Sequence, residues 1–95
     1  MGPTCEVTVA EISETLLDVV HRYLEDVADE VASTRKGRSW DVLVEGRPFG
    51  IWVEDASASL GLAAGCNKPE DWQVLERLAI NLAARLGGHA SKPEK

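Results

Sequence analysis

The 95-residue chain predicts an α+β fold: a small antiparallel sheet of three or four strands with two helices packed on one face, in the order (β)αβββα. Three observations carry this. Apolar residues recur at helical spacing near both ends of the chain. Between them, three stretches alternate apolar and polar with period two. Each helix carries one apolar stripe and each strand one clearly apolar face, and the simplest way to bury them all is to lay both helices on the same side of the sheet.

Residues 5–9, CEVTV, alternate as a short strand with Cys5, Val7 and Val9 on one side. A rival reading starts a helix here, on the capping-box spacing of Thr8 and Glu11. The first helix is expected over about 12–33. Its stripe is Ile12, Leu16, Val20, Tyr23, Leu24, Val27 and Val31, and Arg35, Lys36 and Gly37 follow as its C-terminal signals. WDVLVEG places Trp40, Val42 and Val44 on the core face. EGRP reads as a tight hairpin turn around Gly46, and FGIWVED turns Phe49, Ile51 and Val53 inward. ASASLGLAAGC follows, with Ala58, Leu60, Leu62, Ala64 and Cys66 on the core side. The second helix is expected from about Asn67–Pro69 to Leu86, closed by Gly87 and Gly88. Residues 1–88 form one domain in this reading, and the polar 89–95 a flexible tail.

Sixteen acidic against ten basic residues give a net charge of −6, so phosphate backbones and anionic membranes are poor partners. No apolar run reaches the roughly 18 residues that cross a bilayer. MGPTCEVTV has neither a basic nor an apolar signal region, so a cytoplasmic location is expected. Cys5 and Cys66 have no CxxC or zinc-type spacing and read as free thiols.

Catalytic, cofactor and metal sites are not expected. Cys66 precedes a helix start, where a reactive thiolate is conceivable, but its place in the alternation makes it a small core residue. His21 and Glu25 lie four apart and are two ligands at most; Asp41, Glu45, Glu54 and Asp55 flank turns open to water. Helix-start chemistry accounts for Asn67, Pro69, Glu70 and Asp71, with either Asn67 or Lys68 as the boundary.

The functional signal lies on the other face of the sheet. Ser57, Ser59, Gly61, Ala63 and Gly65 are too small to shield it, and Trp52 and Leu43 share that face on neighbouring strands. Trp52 over a strand glycine is one expectation. The other is an interface formed by Trp52, Leu43, Ser57, Ser59, Gly61 and Ala63. The expected function is a small non-enzymatic interaction or regulatory module. It would bind a protein partner, itself as a homodimer, or a basic target in the manner of an inhibitory or immunity-type protein. The alternatives are a small enzyme or redox protein using Cys66, and an RNA-binding protein. The last rests on the order αβββα, which resembles that of the double-stranded-RNA-binding domain in topology. That domain opens its second helix on a lysine cluster, where this chain has Lys68 followed by Glu70 and Asp71.

Overall fold

A computed structural model describes residues 2–95. It is α+β, with two helices against one six-stranded antiparallel sheet, more strands than the three or four expected. The strands are β1 (Thr4–Thr8), β2 (Glu30–Thr34), β3 (Ser39–Val44), β4 (Arg47–Glu54), β5 (Ser59–Ala64) and β6 (His89–Ala90). The helices are α1 (Glu14–Val27) and α2 (Pro69–Leu86). In space the strand order is β2-β3-β4-β5-β1-β6.

One additional strand comes from the stretch read as the end of the first helix. Ser13 caps α1, its hydroxyl accepting from the Leu16 N–H at 3.2 Å, and the helix stops at Val27 with Ala28 already extended. Val31 continues the four-residue spacing of Val27, which is why periodicity alone extends the helix. Yet Glu30–Thr34 pairs along β3, whose edge would otherwise be left unsatisfied. Val31, Ser33 and Thr34 suit an extended chain, and tertiary pairing overrides the helical period. Arg35 and Lys36 therefore belong to the β2–β3 turn and complement no helix end.

The other additional strand comes from the expected tail. β6 pairs with β1, Ser91 N–H donates to Glu6 O at 2.8 Å, and Thr4 and Glu94 exchange backbone hydrogen bonds. The short strand expected at residues 5–9 is present and central to this arrangement: β1 lies between β5 and β6. The turn at Glu45-Gly46 has positive φ at both residues, 55° and 75°, the two-residue geometry that matches strand twist.

Both helices bury their stripes on the same face. Leu17, Val20, Tyr23 and Leu24 of α1 and Val74, Leu75, Leu78 and Leu82 of α2 meet Val7, Trp40, Val42, Phe49, Ile51, Leu60 and Leu62. Trp40 is 1% exposed, and its indole N–H donates to His21 Nδ1 at 3.2 Å. His21 thus bridges core and solvent: Nδ1 accepts from the buried indole, and Nε2 lies 3.4 Å from the carboxylate of exposed Glu25. Among the described residues no helix is long and apolar enough to cross a membrane.

Two strand glycines on the uncovered face have opposite surroundings. A Cβ on Gly61 would lie 2.2 Å from Trp52 Cε2, so the indole needs that hydrogen. A Cβ on Gly50 would meet only Asp41 Oδ1, at 3.9 Å. Gly61→Val is expected to lose about 1–3 kcal/mol by overpacking. Gly50→Val should hold or gain up to about 1 kcal/mol, because valine suits a strand better than glycine. Urea melts of the two variants check this, and equal losses would contradict the packing described.

Candidate functional site

The face opposite the helices is bare: both helices cover one side, and among the described residues no helix covers the other. Strand register places its residues in rows. Ala32, Asp41, Gly50, Ala63 and Thr4 form one row, and Thr34, Ser39, Trp52, Gly61 and Glu6 the next. Leu43 and Pro48 lie beyond the first row; Glu54, Ser59 and Thr8 lie beyond the second.

The expected patch divides into two depressions. The first, about 530 Å³, has an apolar floor of Ala32, Leu43, Pro48, Gly50 and Ala63, with Glu30 and Asp41 as its carboxylates. It exists because Gly50 and the two alanines leave the middle of the sheet low, while Leu43 and Pro48 stand at its side. The second, about 390 Å³, lies between Trp52 and the C-terminal segment, among Glu6, Glu54, Gly61 and Glu94. Of the six residues expected at an interface, Leu43 and Ala63 line the first and Trp52 and Gly61 the second.

Trp52 and Gly61 are direct cross-strand partners. The indole lies over the glycine and buries it, and its N–H donates to Glu54 Oε1 at 2.8 Å. Aromatic cover of the glycine is therefore present, and Trp52 keeps a half-exposed surface above it. Ser57 and Ser59 differ from expectation. Ser57 sits in a turn of 3-10 helix (Asp55–Ser57) before β5, and Ser59 is 1% exposed. The two hydroxyls are 2.8 Å apart, and Ser59 also donates to Glu6 Oε2 at 3.4 Å. Ser59 is therefore satisfied within the chain and cannot meet a partner.

Charge on this face is one-sided. The strands present Glu6, Glu30, Asp41 and Glu54 there, and no lysine or arginine occupies an outward position on the same face. The arginines near β3 and β4 are committed elsewhere. Arg38 pairs with Asp55, and Arg47 reaches Glu70 and Asp71, each at 3.2 Å. Sequence reasoning located the bare face but missed this sorting of charge, although alternation in β1, β3 and β4 already implied it.

Of the two thiols, Cys66 departs from its expected core position and Cys5 keeps its place beside Val7 and Val9. Cys66 is exposed, because β5 ends at Ala64 and the alternation that placed it in the core ends with the strand. It borders a depression with Gly46, Arg47, Pro48 and Lys68, and no histidine lines that depression. Cys5 is buried; desolvation first, then the Glu76 charge, push its thiol up to about 12. Both cysteines are free. Among the described residues no cluster of three or more His, Cys, Asp or Glu side chains could hold a metal ion.

At the start of α2, Lys68 is the boundary residue and Pro69 the first helical one. Buried Asp71 reaches back with Oδ2 to the Lys68 N–H at 3.0 Å, one half of a capping box. Its Oδ1 has Arg47 Nη1 as counter-charge at 3.2 Å, without the alignment of a hydrogen bond. Asn67 accepts from the Trp72 indole at 2.8 Å instead of capping the helix. These residues fasten α2 to the β3–β4 hairpin.

No protein-family model, curated protein or solved structure matches the chain.

Two outcomes follow from the thiols. Iodoacetamide at mild alkaline pH should modify Cys66 in the folded protein and spare Cys5 until denaturant is added, as read by intact mass. Modification of both at one rate would contradict the burial. Because the folded Cys5 thiol stays neutral while the unfolded one ionises above its ordinary value of 9.0, its contribution to stability is present below pH 9 and is lost as pH rises toward 12. Stability of the parent should therefore fall faster with pH across that window than that of Cys5→Ala, by at most about 1.4 kcal/mol per pH unit. Parallel slopes would refute it.

Proposed function

We propose that the protein is a small non-enzymatic interaction module that captures a basic protein partner on the uncovered face of its sheet. One observation carries this reading: an apolar depression and a half-exposed tryptophan lie on a face that bears four strand carboxylates and no strand cation. Apolar area supplies affinity and tryptophan is a common anchor, while the carboxylates select for a surface rich in lysine or arginine. Their reach is short, with a screening length of about 8 Å at physiological salt, so they act on a partner already close. An inhibitory or immunity-type role, in which the acidic face covers a basic functional surface, fits the same features. The charge argues against a phosphate backbone or an anionic bilayer as partner, and the proposed setting is the cytoplasm.

A second reading uses Cys66, now favoured by its exposure beside Arg47 and Lys68. Its weakness is chemical: Arg47 is held by two carboxylates, the carboxylates that line the same depression, Glu45 and Asp71, are themselves paired with Arg77 and Arg47, and no histidine or second thiol lines it.

Gly50→Trp separates the readings, since it fills the apolar depression where there is open space for a side chain. Affinity capture from the native cell with Gly50→Trp is expected to lose a basic partner that the parent retains. Ile80→Asp, at a 54% exposed position on α2, should keep it, and so should Cys66→Ser. Partner retention by Gly50→Trp, or its loss with Cys66→Ser alone, would overturn the proposal.

A further inference from the structure

The two edges of the sheet are treated differently by the chain. At the β1 edge, β6 is two residues long, and the segment beyond it continues along β1 as far as Glu94 and carries Lys92 and Pro93. Short edge strands, lysine and proline are the devices that prevent a sheet from adding further strands. The other edge is β2, five residues, EVAST, with no lysine and no proline. Four of the five are exposed and Val31 is half-buried.

Hydrogen-bond phase fixes which of its backbone groups are unused. Val53 N–H donates to Arg38 O, so even-numbered residues of β3 face β4 and odd-numbered ones face β2. The Leu43 carbonyl, which accepts from Asp29 N–H at 2.7 Å, agrees. Glu30, Ala32 and Thr34 therefore bond to β3, and the N–H and C=O groups of Val31 and Ser33 point away from the sheet.

We infer that this edge pairs with a second copy of the chain, β2 against β2 and antiparallel, about a two-fold axis at Ala32. That register makes Val31 and Ser33 reciprocal hydrogen-bonded partners across the axis, which uses every outward group of the strand. It sets Glu30 opposite Thr34 of the copy, so no carboxylate faces its own image. It also sets the acidic entry to the strand, Asp29 and Glu30, beside the basic exit, Arg35 and Lys36, of the other copy. Among the described residues Glu30, Arg35 and Lys36 have no ion-pair partner within the chain, so these charges are available to the copy. Opposite charges across adjacent strands favour pairing, and like charges oppose it. The same reasoning excludes a dimer through the uncovered faces, which would press four carboxylates against four.

Residues directly opposite in a sheet share a face, so the two uncovered faces lie on the same side of the resulting sheet. Each apolar depression then adjoins the seam through its own Glu30 and Ala32. The dimer goes beyond the proposed capture of a basic partner and does not depend on it.

Sedimentation equilibrium of the full chain at sub-millimolar concentration tests the inference. The parent should approach twice its 10.3 kDa, and Ser33→Pro, which removes an outward N–H and no bond to β3, should sediment as a monomer. Ala32→Lys, which places two ammonium groups at the axis, should do the same, with folding of both variants checked by thermal melts. In the unmodified chain, amide exchange at Val31 and Ser33 should slow as concentration rises. A parent that stays at monomer mass, variants that dimerise like the parent, or outward amides indifferent to concentration would each overturn it. Gly50→Trp should leave the dimer intact, so loss of partner capture and loss of dimer are read separately.

Discussion

One-sided cover of the sheet is the constraint on which the rest depends. A chain of this length supplies two helices, and the apolar faces of β1, β3, β4 and β5 all need them. Burial of core side chains contributes roughly 1.5–3 kcal/mol for each large one, so both helices are drawn to one face. The other face must then be solvated by its own side chains. Glu6, Asp41 and Glu54 do this at the positions where alternation turns outward, and within β5 Trp52 covers Gly61 while Ser59 is held by Ser57 and Glu6.

The cover also fixes how the chain ends its elements. α1 lies across the covered face and gives way at Ala28 to β2, which satisfies the β3 edge. α2 enters through Pro69 and is fastened by Asp71 between the Lys68 amide and Arg47, tying its N-terminus to the β3–β4 hairpin. Buried Asp71 is tolerated because its carboxylate has both a backbone donor and a counter-charge. His21 closes a similar gap at the far side, giving the buried Trp40 indole the acceptor it requires.

Legibility in the sequence followed the range of the interactions involved. Strands β3, β4 and β5, the hairpin at Gly46 and the helix at Pro69 are written in local period and turn chemistry, and were readable. Val31 kept helical spacing with Val27, and only the pairing with β3 shows it to be a strand residue. His89 and Ala90 look like polar tail until β1 offers an edge. Cys66 was misplaced because alternation carries no sign of where a strand stops, whereas the contact of Trp52 with Gly61 was deducible from register and size. The split of the bare face into two depressions depended on Pro48 and on the C-terminal segment, neither of which the pattern of β5 contains.

The claim that the bare acidic face is the contact surface can be tested directly by photo-crosslinking from single positions in the native cell. A crosslinking residue at Gly50 or Asp41 should capture basic proteins, and one at Ile80 on the outer side of α2 should not. Adducts formed from Ile80 with none from Gly50 or Asp41 would contradict the account, because the partner would then sit on the helices and the uncovered sheet would be solvated surface alone.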